Sequence, residues 1–205
     1  MVQLGAEVGK SLALATKGER SRRAVLREAT AQFAAAGRRG TSVPAIAREV
    51  GLTSSAVYAY FPTKQALFEE AIDADAGGLI ADALPELLEG QFDRDFARVF
   101  QRLLAALPAH PLARRVLAGE EDSGVERLAR LPAELRLHAG LSRALRQGQE
   151  EGTVRSDLDA VTMATGLEAI VIALLVAVLQ SGGEVEAEVA AGVLAVLDAA
   201  VRPSS

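Results

Sequence analysis

A single glycine, Gly51, stands between two short apolar stripes, and this arrangement restricts the chain more than any other feature of its 205 residues. Before it, Ile46, Ala47 and Val50 share one face of a helix. Thr41 or Ser42 can cap that helix, and Pro44 is tolerated in its first turn. After it, Thr53 can cap a second stretch, Ser54 to Tyr60, whose Val57 and Phe61 lie on a common face. Pro62 ends that stretch, because proline has no N–H to donate and its ring obstructs the preceding turn. Thr63 then caps a longer helix from Lys64, with Leu67, Phe68, Ala71 and Ile72 as its apolar stripe. Two short helices meeting at a glycine turn, with small Ala47 at their point of approach, are the physical ingredients of a helix-turn-helix.

The rest of the chain also carries helical period. Val25 with Leu26, then Ala29 and Phe33, predict a helix over about 19–36, with an arginine cluster on its polar face and Gly37 as its stop. Residues 1–18 show no period and read as a flexible basic tail. Past Pro85 and Gly90, helices are expected from Asp93 to about Leu107, over Leu112–Ala118, from Pro132 to Glu151, over Leu158–Gln180 and over Glu184–Val201. An acidic loop, Glu120 to Gly124, separates the second of these from the third, and Ser181, Gly182 and Gly183 join the last two. Only eight residues are aromatic, so the apolar half of the composition is Ala, Leu and Val, which suits helices better than sheets. The expected fold class is all-α: a three-helix head at 19–63 followed by a larger helical body at 64–202.

Charge divides the chain along the same line. Residues 1–64 hold ten Lys or Arg against four Glu, a net charge of +6, and include every lysine. The remaining residues hold twelve basic against twenty-three acidic side chains, a net of −11. A basic head on an acidic body points to a polyanion as partner of the head alone. The absence of cysteine excludes disulfides, thiol catalysis and cysteine-based metal sites. The two histidines are not spaced as metal ligands: His110, between Pro108 and Pro111, reads as a loop residue, and His138 as a helix-surface residue. With no phosphate-binding glycine loop either, an enzyme is disfavoured and no cofactor or metal is called for. The most apolar run, Ala169–Leu179, is eleven residues long, short of the about 20 needed to span a bilayer. It reads as a helix–helix seam, and the expected location is the cytoplasm.

The stretch TSVPAIAREVGLTSSAVYAYFPTKQAL, Thr41 to Leu67, resembles the TetR-type (tetracycline-repressor-like) family of bacterial transcriptional regulators. Ile46, Ala47, Gly51, Leu52, Thr53, Val57, Tyr58, Tyr60, Phe61, Thr63, Lys64 and Leu67 stand at that family's pattern positions. The resemblance covers about 19–75; beyond that it is architectural, with Gly148–Asp159 looking like the lead-in to the family's dimerisation helix.

Several roles are implied by the resemblance. Tyr58, Tyr60 and Lys64 match positions that hold phosphates, and Ser42 matches a phosphate contact at the start of the second helix. Thr53 caps the recognition helix, while Ser54, Ser55 and Ala59 match positions that face base edges. That helix lacks Arg, Lys, Asn and Gln, so readout falls to hydroxyls, methyl contacts and DNA shape. Lys17, Arg20, Arg22 and Arg23 form a basic arm before the first helix, although an arginine cluster is most often a solvated face.

In the body, Phe92, Phe96 and Phe100 recur every four residues, as core or as one wall of an effector pocket. Phe96, Phe100, Leu103, Glu168 and Ile172 are the candidate pocket residues; Glu168 is the only ionisable group between Asp159 and Glu184. Leu174, Leu175, Val176, Leu179, Val193 and Leu197 are the candidate dimer interface. The expected partners are double-stranded operator DNA, a second copy of the chain and a small-molecule effector, with no membrane. The expected activity is ligand-released repression. The rival reading is a helical small-molecule-binding module with weak or lost DNA binding.

Overall fold

The computed structural model describes residues 16–88, 95–121, 132–182 and 187–203. Among these residues there are helices and no strands. The chain divides into two compact units, residues 1–71 and 72–205.

The first unit contains α1 (Lys17–Gly40), α2 (Val43–Glu49), α3 (Ser54–Tyr60) and the start of α4 (Lys64–Ala83). Four hydroxyl side chains start the four helices. Thr16 accepts from the Glu19 amide at 3.2 Å, and Glu19 returns the bond to the Thr16 amide at 2.6 Å, a capping box that begins α1. Ser42 accepts from Ala45 N at 3.3 Å, Thr53 from Ala56 N at 3.2 Å and Thr63 from Ala66 N at 3.0 Å. The capping box corrects the expected tail: Lys17, Arg20, Arg22 and Arg23 belong to α1 itself, not to an arm before it. Residues 1–15 of that tail lie outside the described residues. At Gly37 the backbone leaves helical geometry with φ of 71°, and helix resumes for one short turn to Gly40.

The head's core is a layer of fully buried side chains: Val25, Ala29 and Phe33 from α1, Ile46 from α2, Val57 from α3, and Phe68 and Ala71 from α4. Phe33 and Phe68 meet edge to face with centroids 5.0 Å apart, a geometry that contributes about 0.5–1.5 kcal/mol beyond area burial. The α2–α3 turn depends on Gly51, whose φ of 68° is costly for any residue with a Cβ. Ala47 is buried where the two helices approach.

The second unit holds the remainder of α4, then α5 (Pro85–Leu88), α6 (Phe96–Ala106), a 3-10 turn (Leu107–Ala109), α7 (Pro111–Leu117), α8 (Pro132–Glu150), α9 (Ala160–Gln180) and α10 (Ala187–Val201). Helix α8 packs against α9 and α5, α10 against α6, and α9 against α7. Asp95 caps α6 through Arg98 N at 3.0 Å. Asp159 caps α9 through the amides of Val161 and Thr162, both at 3.0 Å, which moves its start from Leu158 to Ala160. Gly90, Phe92, Asp93, Asp122, Ser123, Gly124, Gly183 and Glu184, all used in the sequence reading, lie outside the described residues.

His110 is a loop residue, as expected, between the 3-10 turn and α7, but it is buried. It is 9% exposed and its ring sits over Gly78 of α4, where a Cβ would come within 2.7 Å of Cε1. Its Nε2 lies 3.0 Å from Asp82 Oδ2 and its Nδ1 3.4 Å from Asp75 Oδ1. Asp75 Oδ2 also accepts the amides of Leu112 and Ala113, each at 2.8 Å, which caps α7 from another helix. The sequence reading missed this because the partners stand 28 to 38 residues apart.

Candidate nucleic-acid interface and ligand cavity

Helix α3 buries Val57 and presents the opposite side outward. Ser55, Tyr58 and Ala59 are exposed, with Tyr58 at 45%, while Ser54 and Tyr60 are partly covered. Thr53 and Ser42 are exposed at the starts of α3 and α2. Their hydroxyl oxygens accept the capping amides, which leaves each O–H able to donate to an external acceptor. Lys64 opens α4 with its side chain partly exposed. The eight residues singled out for DNA contact thus lie on or beside α2, α3 and the first turn of α4, and none is buried. Basic side chains extend this surface: Arg20, Arg23, Arg27, Arg39 and Arg48 are exposed.

Arg22 departs from the reading of a wholly solvated cluster. Its guanidinium pairs with Glu70 and lies 4.8 Å from the centroid of the Phe61 ring. It ties α1 to α4 across the end of α3, a cation–π contact worth about 0.5–1 kcal/mol at a half-exposed site.

The second unit holds a partly open cavity of about 140 Å³. Aliphatic side chains from α4 (Leu79, Ile80), α8 (Leu137, Leu141) and α9 (Val171, Leu175) make most of its wall. Phe96, Leu103, Glu168 and Ile172 also line it, whereas Phe100 is buried elsewhere in the core. Polar groups are few. Glu86 and Arg102 pair at 2.7 Å. Glu168 Oε2 lies 2.8 Å from His138 Nδ1, and the Glu168 side chain is 11% exposed. Burial pushes the Glu168 carboxyl above its ordinary value of 4.5, against a smaller opposite pull from the His138 bond. His138 is therefore a partner of Glu168 and not an isolated surface residue.

Of the residues expected at a dimer interface, Leu174, Leu175 and Leu197 are buried within the subunit, and Leu175 faces the cavity. Val176, Leu179 and Val193 are partly covered. The apolar groups left outside are different ones: Thr165, Gly166, Ala169, Ile170, Ala173 and Ala177 on α9, and Val189, Gly192 and Val196 on α10, with Val196 at 66% exposure. Helix α9 is 21 residues long and its most apolar stretch has a mean hydropathy of 2.3, long and apolar enough to cross a membrane, yet only 28% of that stretch is buried. Periodicity could not reveal which side faces out, because α9 is apolar nearly all round.

Residues 25–71 match the family model described as bacterial regulatory proteins, tetR family. The chain carries a TetR-family DNA-binding head. Over most of its length the chain is also similar in fold to solved regulators. One is a candidate TetR-family transcriptional regulator from Mesorhizobium loti, at 22% identity and TM-score 0.60, covering 90% of this chain and 95% of that one. Others are the fatty acid degradation regulator FadR from Bacillus halodurans, at 17% identity and TM-score 0.63, and FadR from Bacillus subtilis, at 17% and 0.64, solved in complex with stearoyl-CoA. Each of those two comparisons covers 88% of this chain and 99% of the other. No curated protein matches the chain in sequence.

Proposed function

We propose that this chain is a homodimeric, sequence-specific transcriptional repressor of the TetR type and of the cytoplasm, released from its operator by a small molecule. The observation that carries the reading is the outer face of α3, where Ser55, Tyr58 and Ala59 stand exposed on a helix capped by Thr53. In the proposed complex, Ser54, Ser55 and Ala59 face base edges, Ser42, Tyr58, Tyr60 and Lys64 hold phosphates, and Thr53 caps the recognition helix. Two heads meet half-sites about one helical turn, roughly 34–36 Å, apart. The exposed faces of α9 and α10 are the dimer seam, since apolar helix faces of that extent need cover.

Release is proposed to run through α4. That helix begins with Lys64 and continues without a break to Leu79 and Ile80 in the cavity wall. A ligand that favours one position of α4 changes operator affinity by its differential binding, typically about 1–3 kcal/mol. That FadR from Bacillus subtilis holds stearoyl-CoA supports an effector with an apolar chain for a body of this fold.

Selection of duplexes from a random pool, followed by fluorescence anisotropy over a salt series, tests the reading. One enriched palindromic motif bound by two subunits is the expected result. Failure to enrich any motif, with the cavity still binding ligand, favours a binding module without operator recognition.

A further inference from the structure

The cavity has a chemical asymmetry. Its wall is apolar apart from two polar sites, and they differ. Glu86 is matched by Arg102 at 2.7 Å, so its charge has a guanidinium partner. Glu168 has only the imidazole of His138, on one oxygen. Its other oxygen, Oε1, is buried and has no hydrogen-bond partner among the described residues. A buried acceptor without a donor is costly, and a carboxylate oxygen more so than a neutral one. Such an atom in a cavity wall is a site for a group that donates.

We propose that Glu168 is the specificity residue of this cavity, and that the ligand is a small aliphatic ammonium whose N–H donates to Glu168 Oε1 while its hydrocarbon lies among Leu79, Ile80, Leu141 and Val171. The proposal rests on the effector-binding reading above and adds the chemical class. His138 holds the carboxylate through Oε2 and turns Oε1 to this task; it is a positioning residue. A carboxylate-headed ligand sets like charge against Glu168, and a headless hydrocarbon leaves Oε1 unpaired. At about 140 Å³ the cavity is close to the roughly 150 Å³ that admits a benzene ring, so a chain of about six carbons fits. Burial raises the cost of the Glu168 charge, and an ammonium offsets that cost on binding.

The test uses the full chain, without DNA, and three probes of one length: hexylamine, hexan-1-ol and hexanoate. Calorimetric or NMR titration at neutral pH is expected to rank the amine first by about tenfold or more over the alcohol, the scale of a hydrogen bond to a charged group, with hexanoate last. In Glu168→Gln the amine and the alcohol are expected to bind alike. Hexanoate binding as tightly as the amine, affinity indifferent to the head group, no binding of any probe, or an amine preference that survives Glu168→Gln would each overturn the assignment. The wild-type ranking stands on its own if the variant is unstable. Duplex release is measured separately: amine binding without release keeps this assignment and refutes the effector-release reading instead.

Discussion

Alanine at Gly78 is expected to destabilise the body even though alanine is the better helix former. Position 78 lies in the interior of α4, where Gly→Ala ordinarily stabilises by about 1 kcal/mol. Here the new Cβ would stand 2.7 Å from His110 Cε1 and 3.1 Å from Nδ1. The ring cannot keep its place at those distances. Its displacement is an overpacking cost of about 1–3 kcal/mol, and it draws Nε2 away from Asp82, about 0.5–1.5 kcal/mol more. Set against the propensity gain, the net loss is about 1–3 kcal/mol. At about 2–4 °C per kcal/mol for a chain of this size, the melting temperature falls by about 2–12 °C. A double-mutant cycle isolates the clash. In a His110→Ala background the clash is gone, and Gly78→Ala is expected to raise the melting temperature by about 2–4 °C. A rise in the wild-type background, or a fall in both, would refute the claim that the imidazole fills the space glycine leaves.

Three further outcomes are expected. Lys64→Ala is expected to weaken specific and random duplexes alike and to lower the salt slope by about one per subunit; loss confined to the specific duplex would remove its phosphate role. Ile170→Arg or Val196→Arg is expected to yield monomer or aggregate by light scattering, because an obligate interface buries more than about 2,000 Å² and tolerates charge poorly. Two well-folded dimers would place the seam elsewhere. Glu168 binds its proton more tightly in the folded chain than at its ordinary value, so its contribution to stability is present at low pH and is lost as pH rises through the raised value. Melts of wild type and Glu168→Gln from pH 4 to 7 are expected to diverge in favour of glutamine as pH rises, and parallel curves would count against the burial effect.

The head could be read residue by residue because its structure is punctuated locally. Each cap, the glycine turn and the Pro62 stop act within four residues, so their chemistry is visible in a short window. Thr16 was missed because its capping box needs Glu19 to turn back, and the expected start at Glu19 took that residue as the boundary itself. The body was readable only as helices. His138 and Glu168, or His110 and Asp75, come together from distant positions by packing that no local pattern encodes. On α9, Leu175 and Ile170 are chemically alike, yet one lines the cavity and the other is exposed.

Asp75 also has a consequence for how the body opens. Helix α7 has only seven residues, and isolated helices below about 12–15 residues are marginal in water. Its first turn is closed by a carboxylate that belongs to α4, through the amides of Leu112 and Ala113. Those two amide protons can exchange with solvent only when Asp75 lets go of them. In a hydrogen-exchange experiment they should therefore report on α4 and not on the short helix that contains them, so that the two elements open as one cooperative unit despite being far apart along the chain.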